Sequence, residues 1–262
     1  KSTNIFLIGN FELIRKQFEK IGARVFLRKI KNINYHDYDE ALYVYNIPLK
    51  FKKIFQVSDK NKSKYIKNCF RAVIKIKERK KINGFINCPI NKRETFGKKF
   101  YGITEFLSKK EGVYGKEVML IYNKNLSVSP ITTHIKLKKV SSNLSKDKII
   151  NKIVTINNFY KKQLNKNPKI GVLGLNPHND EFIPNSEEVK IIIPAIKKLR
   201  NMKISVHGPL SPDTAFINLK KEKFDVLVGM YHDQVLTPFK TIFKFNAINI
   251  TLGLPYIRVS PD

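Results

Sequence analysis

Residues 170–178 read Ile170-Gly171-Val172-Leu173-Gly174-Leu175-Asn176-Pro177-His178, and this stretch decides the fold. The run Ile170–Leu175 is short, apolar and stopped by Asn-Pro, which makes it a buried strand opening into a loop. Beyond it, Ser186 followed by Glu187 and Glu188 starts a helix reaching about Met202, because the hydroxyl caps free amides and the acids face the positive dipole end. A strand at Ile204–His207 and another at Asp225–Met230 follow. Strands alternating with helices predict an α/β protein with a largely parallel sheet.

The pattern extends in both directions. Upstream, Ile5–Gly9, Phe11–Ile21 and Ala23–Ile30 alternate strand and helix character, and Gly84–Ile90, Val118–Tyr122 and Leu126–Thr133 read as further strands. Lys146–Leu164 places Ile149, Ile153, Ile156 and Tyr160 at spacings of three and four, a covering helix with its lysines outside. Downstream, Ala247–Arg258 is rich in β-formers and broken by Gly253 and Pro255, a strand running into a functional loop. No repeat or linker divides the chain, so residues 1–262 form one two-lobed unit with a soft boundary near 140–148.

Composition narrows the function. Fifty basic against 21 acidic residues give a formal charge of +29. Such a charge is the footprint of a nucleic-acid binder, or of a protein that concentrates anionic substrates. The lysines are scattered through every segment, with no Arg-rich arm and no zinc-finger spacing, which favours an acidic small molecule as the ligand over nucleic acid. Cys69 and Cys88 have no CxxC spacing and are expected reduced and partly buried. No apolar run approaches the roughly 18 residues of a membrane helix, so a soluble, cytoplasmic protein is expected, with no membrane partner.

Three of five histidines fall where a strand gives way to a loop: His134 in Thr-Thr-His, His178 in Asn-Pro-His and His232 in Met-Tyr-His-Asp-Gln. Open α/β sheets bind ligands beyond the carboxyl ends of their strands, so these imidazoles are candidates to meet on one ion. Imidazole suits Zn, Co, Mn or Fe better than Mg. Taken singly, each histidine is equally a capping or hydrogen-bonded residue. Asp180, Glu181 and especially Asp233 are candidate partners that orient the ligands. In Gly208–Thr214, Asp213 and Thr214 either cap the next helix or meet a ligand. Lys240, Asn249 and Arg258 follow, and an Arg at a Pro-flanked strand end can grip phosphate or carboxylate. There is no GxGxxG and no P-loop.

Taken in order, several stretches resemble the 4-hydroxythreonine-4-phosphate dehydrogenase family over most of the chain. They are Asn87-Cys88-Pro89-Ile90-Asn91-Lys92, Gly102-Ile103-Thr104-Glu105-Phe106-Leu107, Thr132-Thr133-His134, Gly174–His178, Gly208–Thr214, Met230–Gln234 and Asn249–Arg258. The resemblance implies a two-lobed α/β/α sandwich of the isocitrate and isopropylmalate dehydrogenase type, with the active site in the interlobe cleft and NAD used without GxGxxG. It implies that His134, His178 and His232 bind a divalent metal (Zn, Co, Mn or Mg), the third reaching in from the partner of a homodimer. Thr104, Lys240, Asn249 and Arg258 would contact the phosphorylated substrate.

The implied reaction is NAD-linked oxidation and decarboxylation of 4-phosphooxy-L-threonine to 3-amino-2-oxopropyl phosphate, in pyridoxal phosphate (vitamin B6) biosynthesis. Lys92 and a metal-bound hydroxide are candidate bases, and no base is assigned. Ile103 stands where the family usually has a substrate-binding His, which keeps open a paralogous dehydrogenase of threonate or erythronate 4-phosphate. Asn179 and Asp180 replace the usual Ala-Gly, a change expected to reshape the loop near the metal. The chain starts at Lys1 without the family's opening strand and stops at Asp262 before its His-Gly-Thr, and so reads as a fragment. A cationic nucleic-acid-binding module with structural histidines is the rival from another class.

Overall fold

The first elements show why local sequence suffices here. β1 (Phe6–Gly9) runs into Asn10, whose side chain accepts the Leu13 N–H at 2.9 Å and so starts α1 (Phe11–Lys20). β2 (Leu27–Ile30) and β3 (Leu42–Asn46) complete a three-stranded parallel sheet in the order β1-β3-β2. α2 (Asp59–Glu78), β4 (Gly84–Ile86) and α3 (Lys92–Phe96, capped by Asn91) follow. The protein is seen in a computed structural model that describes residues 5–32, 40–78, 82–97, 102–217 and 219–261. It divides into two units, 1–85 with 90–102, and 86–89 with 103–262. The polar stretch 140–148, read from sequence as the lobe boundary, lies inside the second unit, where Val140 and Leu144 are buried in the core.

The second unit contains α4 (Ile103–Lys110), β5 (Val118–Tyr122), β6 (Ser127–Thr132), α5 (Lys146–Gln163) and β7 (Ile170–Leu173). α6 (Ile193–Asn201), β8 (Val206–Leu210), α7 (Leu219–Glu222), β9 (Val226–Tyr231), α8 (His232–Phe243), β10 (Ile248–Leu252) and β11 (Ile257–Pro261) complete it. Its strands run in the order β11-β10-β5-β6-β9-β7-β8.

The expectation of a largely parallel sheet is corrected on one side. β6, β9, β7 and β8 are parallel, but β5, β10 and β11 pair antiparallel. The connections explain it, because β5–β6 and β10–β11 are joined by a few residues, far too short for a crossover. The last strand-to-loop segment is therefore a hairpin. Its turn needs Gly253, at φ +81°, where a Cβ would lie 2.7 Å from the Lys116 carbonyl oxygen.

Side chains alternate across the sheet. Ile170, Val172, Val226, Val228 and Met230 face a cluster with Ile149, Ile153, Ile156 and Tyr160 of α5 and Ala195, Ile196 and Leu199 of α6. Leu173 and Leu227 face Val235, Leu236 and Phe239 of α8 on the other side. Each such burial contributes roughly 1.5–3 kcal/mol. One lysine departs from the expectation that α5 leaves its lysines outside: Lys152 is 9% exposed, at the margin of the apolar stripe. Likewise Cys88 is exposed, not partly buried as expected, and Cys69 is half-buried. Among the described residues no helix is long and apolar enough to cross a membrane.

Candidate active site

Parallel strands in register deliver two histidines to one edge. Thr132 pairs with Tyr231 across β6 and β9, and the Thr132 hydroxyl donates to the Met230 carbonyl at 2.7 Å. His134 follows β6 by two residues, and His232 opens α8 immediately after β9. Their rings lie 5.9 Å apart between centroids. Each Nδ1 meets a carboxylate: His134 with Glu105 Oε1 at 3.1 Å, and His232 with Asp233 Oδ1 at 2.7 Å. A carboxylate only accepts, so Nδ1 is the donor in each contact, and in the neutral ring that leaves Nε2 as the lone-pair nitrogen.

His178 is not part of this pair. It begins a run of five residues, His178 to Phe182, with φ between 45° and 57°. Left-handed turns of this length are costly for L-residues. Asn179 anchors the run: it is buried, and its amide donates to the Pro209 carbonyl at 3.4 Å. The Asp213 carboxyl is held below its usual range mainly by the Ser211 hydroxyl, with the nearby His178 a lesser cause. Asp213 and Thr214 stay within the turns of their own loop, bonded to Ser211. Asp180 is half-buried and Glu181 exposed, and among the described hydrogen bonds neither side chain reaches a histidine. Among the described residues no three His, Cys, Asp or Glu side chains form a group able to hold a metal. Within one chain, then, the imidazole that stands apart is His178.

Beside the pair lies a buried cation. Arg258 on β11 is 4% exposed; its Nε donates to Asn87 Oδ1 at 2.6 Å and its Nη1 to Thr251 Oγ1 at 3.1 Å. Thr104 Oγ1 is 3.3 Å from Thr251 Oγ1. Burial pushes the Arg258 guanidinium down to about 10, with the negative charge of Glu105 opposing, so it stays charged at neutral pH. Asn249 shares a face of β10 with Thr251, and its Oδ1 is buried with no hydrogen-bond donor among the described residues. Lys240 sits in the last turn of α8, 5.9 Å from the centre of the Phe245 ring, a placement the helix terminus and the ring account for. Ile103, 4% exposed at the start of α4, presents no polar atom. The side chain of Lys92 lies outside the described residues.

Several residues that matter have no place among the site residues read from sequence, and Glu188 enters there only as a helix-start acid. Glu105 and Thr251 bond to site residues directly. Gln234 accepts the Met230 N–H at 2.6 Å and donates to the Gly174 carbonyl at 2.8 Å, pinning the β9–α8 junction to β7. Glu188, fully buried in a π-helical turn before α6, accepts the N–H groups of Leu175 and Asn176 at 2.7 and 2.9 Å. A carboxylate on the same helical stripe as Ile192 and Ala195 was the available signal.

The donor set fits a divalent cation as a pair. Two imidazoles, each with Nδ1 against a carboxylate, offer two ligands of the kind such an ion takes, and among the described residues no third His, Cys, Asp or Glu side chain joins them. A buried Arg and two threonine hydroxyls beside the pair suit a phosphate or carboxylate.

The model of the family described as pyridoxal phosphate biosynthetic protein PdxA matches residues 1–262. A 4-hydroxythreonine-4-phosphate dehydrogenase from a Sulfurihydrogenibium species is 37% identical over 270 residues, covering 100% of this chain and 81% of that protein. A D-threonate 4-phosphate dehydrogenase from Pectobacterium atrosepticum is 32% identical over 197 residues, covering 74% of this chain and 60% of that protein. The crystal structure of a 4-hydroxythreonine-4-phosphate dehydrogenase from Klebsiella pneumoniae matches with a TM-score of 0.82 at 27% identity, covering 97% of this chain and 79% of that one.

Proposed function

The chain belongs to the PdxA family of pyridoxal phosphate biosynthetic proteins, and on that premise we propose that it oxidises 4-phosphooxy-L-threonine with NAD as hydride acceptor. The hydroxyl-bearing carbon loses hydride and the hydroxyl loses its proton. The resulting β-keto acid then releases carbon dioxide, leaving 3-amino-2-oxopropyl phosphate. The observation that carries this reading is the imidazole pair of His134 and His232 lying beside the buried Arg258 network.

Arg258 and Thr104 hold the phosphate, with Lys240 adding charge, and fix the reacting carbon in place. Asn249 Oδ1, a buried acceptor, takes a donor from the substrate's hydroxyl or ammonium group. His134 and His232 hold a divalent cation (Zn, Co, Mn or Mg), and His178 joins them, the set being completed across a homodimer. When bound, that cation makes the hydroxyl more acidic and stabilises negative charge on the carbonyl oxygen, contributing several kcal/mol. Glu105 and Asp233 keep both imidazoles in the metal-binding tautomer.

The test follows NADH formation with 4-phosphooxy-L-threonine before and after chelation and metal re-addition. Turnover should vanish on chelation, return with metal, and fall at least about 100-fold in His232→Ala, the scale expected when a group that contacts the reacting atoms is removed. A second reading has its own support: Ile103 is buried and apolar, and one relative is named for D-threonate 4-phosphate. Turnover of threonate 4-phosphate without turnover of the amino substrate would move the assignment there.

A further inference from the structure

Taking the imidazole pair as a cation site and Arg258 as an anion site, as proposed above, we infer that Glu105 is a positioning residue that couples the two. One carboxylate serves both neighbours. Its Oε1 lies 3.1 Å from His134 Nδ1. Thr104, the residue before Glu105 in the first turn of α4, meets Thr251, which accepts from the buried Arg258, so the same turn of helix carries Glu105 toward the guanidinium, where its negative charge favours the charged form.

The two carboxylates that back the imidazoles are unequal. The Glu105 side chain is 16% exposed and that of Asp233 is 79% exposed. Water screens the Asp233 contact and lets its rotamers exchange, while Glu105 acts through a drier medium in which the same charge is felt more strongly. Glu105 therefore sets the tautomer and aim of its histidine more strongly than Asp233 does for His232.

On the anion side Glu105 has the opposite effect. A phosphate approaching Arg258 meets the Glu105 carboxylate as a like charge. A divalent cation on His134 offsets that charge, so cation and anion bind better together than alone, and by linkage each strengthens the other equally. Removing the charge should weaken one ligand and strengthen the other, which a merely loosened structure cannot do.

The experiment uses the whole chain and two probes. Co2+ binding is followed by its visible absorption without phosphate, and inorganic phosphate binding is followed by calorimetry without metal. Glu105→Gln should weaken Co2+ by about 10- to 100-fold, as loss of an outer-layer partner does, and should tighten phosphate. Asp233→Asn should change Co2+ affinity less than about threefold, as an exposed contact does. Equal losses of Co2+ affinity in the two variants, or phosphate weakened alongside Co2+ in Glu105→Gln, would overturn the assignment. Failure of the unaltered chain to bind Co2+ would overturn the cation reading beneath it and the coupling with it.

Discussion

Gly174 shows how one residue constrains the loop that carries His178. A Cβ there would lie 2.1 Å from Asn179 Oδ1 and 3.0 Å from Glu188 Oε1. Neither atom can retreat cheaply, because Asn179 is tied to Pro209 and Glu188 to two backbone amides. Gly174→Ala should therefore cost about 1–3 kcal/mol of stability, the range for overpacking. In an Asn179→Ala background the same change should cost less than about 1 kcal/mol, because the two positions share the clash. Urea midpoints of the four proteins give the coupling directly; equal costs in both backgrounds would mean that Asn179 is not what excludes the methyl. Sequence placed Asn179 where a small residue is usual and expected a reshaped loop. It could not show that the amide turns inward onto a glycine five residues earlier, since that contact depends on left-handed φ angles that no local pattern announces.

At the scale of elements, α5 was legible almost residue by residue, and Lys152 is the exception that its periodicity hid. Burial pushes the Lys152 ammonium down to about 8, with Glu117 opposing and Lys148 adding to the shift. A base whose pKa is lower folded than unfolded imposes a full penalty below its folded value. Between about 8 and the unfolded value of 10.5 the unfolded chain binds more protons, so stability rises with pH. Lys152→Met, which keeps the length and removes the charge, should therefore stabilise at pH 7 by on the order of 1–3 kcal/mol. At pH 9.5 the gain should shrink by more than half. Denaturant titrations at the two pH values decide it, and a gain independent of pH would assign the effect to packing alone. The antiparallel half of the sheet was misread for a related reason. Strand character is local, but direction depends on connection length and on pairing partners far apart in sequence, such as β10 with β5. The strand-end positions of His134 and His232 are visible in sequence, whereas Glu105 lies in a helix and its contact with His134 forms only where α4 meets the loop after β6.

For the molecule as a whole the dominant fact is the excess of 50 basic over 21 acidic residues. The described ion pairs use few of them, among them Arg15 with Glu12 and Glu19, Lys62 with Glu94, and Lys166 with Asp225. An excess of 29 basic residues has no acidic residues left to pair with and acts as a field, which draws anions toward the protein and is screened over about 30 Å at 0.01 M salt and about 10 Å at 0.1 M. For a phosphorylated substrate held by Arg258, this field should speed encounter without touching the chemical step. Raising salt from about 0.01 to 0.3 M should lower kcat/KM several-fold and leave kcat unchanged, because only the approach is screened. A labelled DNA duplex should be held weakly and released over the same range, since binding by phosphate neutralisation alone falls steeply with salt. Sub-micromolar duplex binding that survives 0.3 M salt would show a surface built for nucleic acid, and the scattered lysines would then need a second role. A salt-independent kcat/KM would instead mean that the field does not reach the site, and the charge would be a property of the surface with no part in substrate capture.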